Sequence, residues 1–173
     1  MDAFLGTGAY HEIAETLAGC RRSAVVRLPD PDRAPLQRSD APREHLDGNA
    51  VYVKIAEGCS APCAFCAIPL IKGPLRSRPV QDIVADARYL AGQGAQEIVV
   101  IAQDTTAYGR DRGERDALPG LVEAILAASP GLQWLRLMYA YPGHVSPRLI
   151  EVMAGDARVC RYLDLPLQHA HPD

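Results

Sequence analysis

Residues 57–66 read EGCSAPCAFC, which puts three of the chain's five cysteines, Cys59, Cys63 and Cys66, within eight positions. The spacing is C-x3-C-x2-C, with Phe65 directly before the third thiol. Their neighbours are small, polar or proline, so the thiols are poorly suited to core packing. Pro62 and Pro69 oppose one long helix through the stretch. The expectation is a loop that folds back until its sulfurs converge on one point. Convergent thiolates are soft ligands, suited to zinc or to an iron–sulfur cluster. Zinc would need a fourth ligand, which Cys20, Cys160 or a histidine could supply. A disulfide framework fits poorly: the thiol count is odd, the thiols are crowded and no export signal is visible.

Composition sets the outer bounds. The chain has 173 residues, enough for a domain with a sizeable core. Lys and Arg total 18 against 21 Asp and Glu, a net charge of −3, so direct nucleic-acid binding is not expected. No apolar run approaches a membrane span, and no membrane association is expected. Five cysteines without an export signal point to a reducing, cytoplasmic setting.

Outward from the thiols, a repeating order appears. Residues 51–55 form an apolar strand that leads straight into the cysteine loop. Pro79 is expected at the first position of a helix. Val80, Ile83, Val84, Ala87, Leu90 and Ala91 recur through it at helical spacing, and Gly92 and Gly94 end it. Residues 98–102 are a continuous apolar strand, the pattern of a parallel sheet buried on both faces. Pro119 opens a second helix with Leu121, Val122, Ile125 and Leu126. Residues 134–138 are a third strand. Ser146 and Pro147 read as cap and first turn of a helix carrying Leu149, Ile150 and Met153. Residues 159–165 are a fourth strand. Alternation of strand and helix implies a parallel sheet, in which chemistry gathers at the carboxyl ends of the strands. Those ends carry the cysteines, then Gln103-Asp104-Thr105-Thr106, then Tyr139-Ala140-Tyr141-Pro142, then Pro166-Leu167-Gln168-His169. Four polar ends on apolar strands suit a reactive site better than a structural zinc loop. His169 and His171 read as surface or pocket histidines, not metal ligands.

Upstream, residues 1–28 read as a small α/β piece. It has a strand at Ala3–Leu5, a Gly6-Thr7-Gly8 turn, a helix with Ile13, Ala14, Leu17 and Ala18 on one face, and a strand over 24–28. Pro29, Pro31, Pro35 and Pro42, with charges between them, mark a linker. The expected division is residues 1–46, a remnant of an amino-terminal domain plus linker, and residues 47–173, the main α/β domain.

The motifs resemble one family. C-x3-C-x2-C with an aromatic before the last cysteine is the motif of radical S-adenosylmethionine (SAM) enzymes. Residues 102–109 (AQDTTAYG), 135–145 (LRLMYAYPGHV) and 162–170 (YLDLPLQHA) are similar to the methylthiotransferase branch that modifies a ribosomal protein. The resemblance implies an α/β fold, a partial (β/α) barrel with about four of six βα units. It implies a 4Fe-4S cluster on Cys59, Cys63 and Cys66, with the fourth iron open to the amino and carboxylate groups of SAM. An electron from the cluster then splits a C–S bond and releases a deoxyadenosyl radical. It further implies SAM contacts from Phe65, Gln103, Asp104 and Gln168. Arg76 and Arg78 would be charge partners for SAM or substrate, and Tyr139 and Tyr141 would line the cleft. The implied reaction adds a methylthio group to the β-carbon of an aspartate in the twelfth small-subunit ribosomal protein, with an electron donor as further partner. A sister branch that modifies tRNA adenosine and a non-catalytic zinc module are the alternatives.

The family also has a second 4Fe-4S cluster, held by three cysteines of an amino-terminal domain, and a carboxy-terminal substrate-binding domain. Neither has a counterpart in these residues. The chain is therefore expected to be part of a longer enzyme and not to methylthiolate alone.

Overall fold

The computed structural model describes residues 2–19, 24–36 and 49–167. The described residues up to Leu36, together with Gly58–Pro74, form one compact unit. Those from Asn49 to Glu57 and from Leu75 to Leu167 form a second.

The first unit contains β1 (Ala3–Leu5), α1 (Ile13–Gly19) and β2 (Val25–Arg27), with β1 and β2 paired in parallel. The predicted periodicity of α1 is present, but its apolar face is not covered. Ile13 and Leu17 are 55% and 57% exposed, while Thr16 is buried.

The second unit is built on β3 (Ala50–Lys54). A two-residue strand β4 (Ala56–Glu57) follows, and the chain then leaves through the cysteine loop, where the first unit carries the short helix α2 (Ile68–Lys72). It re-enters the second unit at β5 (Arg76–Ser77), which pairs antiparallel with β4: Ala56 faces Ser77 and Glu57 faces Arg76. Then come α3 (Val80–Gly92), β6 (Glu97–Ile101), α4 (Leu118–Ala128), β7 (Trp134–Leu137), α5 (Pro147–Gly155) and β8 (Val159–Leu163).

Strands β3, β6, β7 and β8 form one parallel sheet in that order, so each new strand is laid beside the last. Register places Val51, Val53, Ile98, Val100, Leu135 and Leu137 on one face, and Tyr52, Lys54, Val99, Ile101 and Arg136 on the other. The first set joins one hydrophobic core with Ile83, Ala87 and Leu90 of α3, Leu121, Val122 and Ile125 of α4, and Leu149, Val152 and Met153 of α5. Each such fully buried aliphatic stabilises by about 1.5–3 kcal/mol. All three helices thus cover one face. Continuous winding with one-sided cover is the arrangement of a (β/α) barrel wall, not of a doubly wound sheet. The strand β6 is nonetheless buried on both faces, as expected: Val99, on the face without helices, is only 7% exposed. On the face without helices, Tyr52 and Trp134 are more than half exposed, and Arg136 pairs with Glu97 at 2.5 Å under the ring of Tyr162.

Two helix starts lie one residue from expectation. Pro79 caps α3 and does not begin it, and Pro119 is the second residue of α4. Either place tolerates the missing N–H. Ser146 caps α5 as expected, its hydroxyl accepting from Leu149 N at 3.0 Å. Among the described residues no helix is long and apolar enough to cross a membrane.

Candidate functional site

The cysteine loop hangs on a neck. On the sheet side, β4 and β5 clamp its two stems. Ser77 is clasped further, donating from N and Oγ to Asp111 at 2.9 and 2.6 Å and accepting from Gly109 N at 2.9 Å. The buried Tyr108 hydroxyl donates to Arg78 O at 2.8 Å. Burial pushes the Tyr108 phenol above its usual pKa of 10.0, while Arg112, whose guanidinium lies 5.0 Å from the ring, pulls it back.

Within the loop unit, Gly58 sits at φ +69. A Cβ on it would lie 2.0 Å from Pro74 O and 2.5 Å from Gly73 O, so only glycine lets the stems approach. Cys59 N donates to Gly73 O at 3.1 Å, and Thr7 Oγ1 donates to Ile71 O at 2.7 Å. The thiols follow on tight backbone turns: Ala61 N lies 3.4 Å from Cys59 Sγ, and Cys66 N donates to Cys63 O at 3.0 Å.

All three thiols are free and half-buried. The fourth described thiol, Cys160, lies on β8, where burial pushes it up despite Arg136 nearby. Among the described residues, no three His, Cys, Asp or Glu side chains gather as ligands of one ion. Sulfurs on one tetrahedral zinc stand about 3.8 Å apart, from bonds of about 2.3 Å. The expected meeting of three sulfurs at one point is therefore not the geometry of the loop. Metal binding is coupled to the ordering of its ligands, and ligands to separate irons of a cube need not share one point.

The mouth of the sheet is a cavity of about 410 Å³ lined by Lys54, Ile101, Ala102, Gln103 and Tyr139. Lys54 Nζ is held by the buried Glu57 carboxylate at 2.6 Å. Tyr139 takes φ +59, a left-handed conformation rare for an aromatic residue. It is pinned from both sides: Thr105 N donates to Tyr139 O at 3.0 Å, and Tyr139 N donates to Asp164 Oδ2 at 3.2 Å.

The predicted site residues divide. Gln103 and Tyr139 share the mouth. Phe65 is 79% exposed in the loop unit. Arg76 lies in β5, half-buried opposite Glu57. Arg78 is corrected: it is fully buried, donating to Lys54 O at 2.7 Å and to Asp86 at 2.9 Å, so it is a core ion pair and not a ligand group. Asp104 is corrected too. It is buried, and its Oδ1 caps a short turn by accepting from Thr106 Oγ1 at 2.5 Å and Ala107 N at 3.2 Å. Its Oδ2 meets His144 Nδ1 at 2.9 Å. Tyr141 is not among the residues lining the mouth, and its ring packs at a tilt against His144, with centroids 4.8 Å apart. Gln168, His169, His171 and Cys20 lie outside the described residues.

Sequence reasoning passed over Lys54, His144 and Arg110. The one available signal was the histidine inside YPGHV.

This combination is a parallel (β/α) barrel wall whose first strand opens into a loop of three free thiols. The chain belongs to the radical SAM superfamily, whose model matches residues 53–173. It is 45% identical over 171 residues to "Ribosomal protein uS12 methylthiotransferase RimO" of Desulfosudis oleivorans (strain DSM 6200 / JCM 39069 / Hxd3), covering 98% of this chain and 38% of that protein. It is 46% identical over 170 residues to the protein of the same name from Moorella thermoacetica (strain ATCC 39073 / JCM 9320), covering 97% and 38%. The chain thus spans 38% of the length of these relatives. Among solved structures, it resembles the radical S-adenosylmethionine methyltransferase TsrM from Kitasatospora setae, with tryptophan substrate and a SAM analog bound. The TM-score is 0.57 at 21% identity, over 79% of this chain and 26% of that one, a likeness of fold.

Proposed function

We propose that this chain is part of a radical SAM methylthiotransferase that adds a methylthio group to the β-carbon of an aspartate in ribosomal protein uS12. The class rests on one observation, the free-thiol triplet carried on a hairpin neck from the end of β3. The substrate rests on the shared name of the relatives. Cys59, Cys63 and Cys66 would hold a 4Fe-4S cluster, and the donor set fits, being three free thiols on one loop. When bound, the cluster supplies the electron that cleaves SAM.

The chain's own residues position and enclose. Gly58 and the β4–β5 pair fix the loop stems, Phe65 would border the adenine, and Gln103 would meet the SAM amino group. Lys54 and Tyr139 wall the mouth. The division at residue 46, the second cluster in the rest of the protein, an electron donor and a cytoplasmic setting belong to the same reading.

The test uses the complete protein, reconstituted anaerobically and offered small ribosomal subunits and tRNA in parallel, with products read by mass spectrometry. A methylthio group on uS12 supports the reading. Modification of tRNA adenosine instead would transfer the chain to the sister branch. Stoichiometric zinc with no reconstitutable iron would overturn the class.

A further inference from the structure

A second cavity of about 680 Å³ lies between the loop after β6 and the loop after β7. That is the size of a small-ligand site. Its walls include Arg110, Glu114, Arg115, Asp116, His144 and Ser146. These groups differ in what they already hold. Glu114 takes the Arg112 guanidinium at 2.9 and 3.1 Å, which keeps its carboxyl below the usual range. Asp116 accepts from the Ser146 hydroxyl at 2.6 Å. Both acids are thus engaged. Arg115 has no hydrogen bond or ion pair among the described residues. Arg110 has one partner, and it is not a carboxylate: its Nη1 lies 2.7 Å from His144 Nε2.

That contact fixes a direction. A guanidinium only donates, so Nε2 must accept, which puts the imidazole proton on Nδ1. Nδ1 then donates to Asp104 Oδ2 at 2.9 Å. Asp104 is held in turn by Thr106 Oγ1 and Ala107 N, and Thr106 Oγ1 accepts from Tyr141 N at 3.1 Å. A buried carboxylate therefore orients a neutral histidine, and the histidine orients an arginine whose charge meets no anion. Surface arginines need no such support. Held in place, the rest of the guanidinium is preorganised for a planar, two-oxygen anion.

We propose that this groove binds a carboxylate, with Arg110 and Arg115 taking the anion and His144 acting as a positioning residue. Glu114 and Asp116 on the same wall disfavour a dianionic phosphate more than a singly charged carboxylate. The carboxylate can come from a small free acid or from an acidic side chain of a peptide.

The test is equilibrium binding to the full chain, followed by NMR shifts. It needs neither cluster nor SAM, so its outcome is independent of the transfer assay. The probes are propionate, the blocked peptide acetyl-Gly-Asp-Gly-amide, its Asn counterpart and inorganic phosphate. Propionate or the aspartyl peptide binds; the tighter of the two identifies the source, and the Asn peptide does not bind. Arg110→Ala and Arg115→Ala each weaken binding by about tenfold or more, as loss of a charged hydrogen bond implies. His144→Ala weakens it comparably, and His144→Gln, whose amide oxygen can accept from Arg110, restores part of it. Melting curves check folding. Arg110 and Arg115 are exposed, so they carry the test even if His144→Ala unfolds. Equal binding of the Asp and Asn peptides, tighter binding of phosphate than of either carboxylate, or unchanged affinity in Arg110→Ala would overturn the proposal.

Discussion

Replacing Gly58 by alanine tests whether the neck, and not the thiols alone, makes the loop competent for a cluster. The backbone there is left-handed, which costs a residue with a Cβ about 1–2 kcal/mol. The new Cβ would stand 2.0 Å from Pro74 O and 2.5 Å from Gly73 O, against an ordinary contact beyond 3.4 Å, so the opposing stem must retreat by more than 1 Å. Overpacking of this kind costs about 1–3 kcal/mol. The retreat also breaks the 3.1 Å bond from Cys59 N to Gly73 O, about 1 kcal/mol more. The sum is about 3–6 kcal/mol, and it falls on the loop stems, because Gly58 belongs to the loop unit and not to the sheet core. The assay is iron bound after anaerobic reconstitution, beside a thermal melt of the same sample. Gly58→Ala should bind well under half the iron of the parent with little change in melting temperature. Gly94→Ala is the control: φ is +97 there with open space around it, so it carries only the backbone cost of about 1–2 kcal/mol and leaves iron uptake intact. A Gly58→Ala chain that holds a full cluster as long as the parent does would refute the reasoning.

Four further outcomes are expected. Cys59→Ala, Cys63→Ala and Cys66→Ala should each abolish the reconstituted cluster, measured as iron content and visible absorbance. Arg78→Ala should lower unfolding free energy by about 3–5 kcal/mol in denaturant titration, because Asp86 is left charged and buried. Native Tyr108 keeps its proton at pH values where the unfolded chain has lost it. Its contribution, present below pH 10, should therefore fall as pH rises through the raised native value, and Tyr108→Phe should lack that slope in alkaline denaturation. Cys160 should alkylate more slowly than a free cysteine at pH 8, since burial raises its thiol, and Cys160→Ser should leave iron uptake unchanged.

The sheet was legible because its strands are short apolar runs punctuated by Pro and Gly, and its helices repeat at helical spacing. The β4–β5 neck was not, since two-residue strands have no periodicity to read. Arg78 was misread as a charge partner for SAM or substrate, although a signal existed. Asp86 stands among Ile83, Ala87 and Leu90 on the buried face of α3, and a carboxylate at a core position requires a partner. The relay from Asp104 through His144 to Arg110 crosses two loops 40 and 34 residues apart in sequence, beyond any local pattern. The helix α1 was read correctly as a helix, but periodicity alone could not say whether its apolar face is covered.

Polar residues at strand ends are consumed by two tasks, and the sequence cannot separate them. The turn after β6 offers Gln103, Asp104, Thr105 and Thr106, all plausible ligands by type. Thr105 Oγ1 is spent on Met138 O at 2.8 Å, and Thr106 and Asp104 are spent on each other and on Tyr141 and His144. Only Gln103 is left exposed. The same ties run on to β8, where Asp164 O accepts from Ala140 N at 2.9 Å and its carboxylate holds Tyr139. Holding a tyrosine at φ +59 costs about 1–3 kcal/mol and persists only where neighbours over-determine it. The rim is therefore one hydrogen-bonded band across three strand ends. Its rigidity keeps Tyr139 and Gln103 facing one cavity, and the residues that build the band are those a reading by residue type would first have assigned to the ligand.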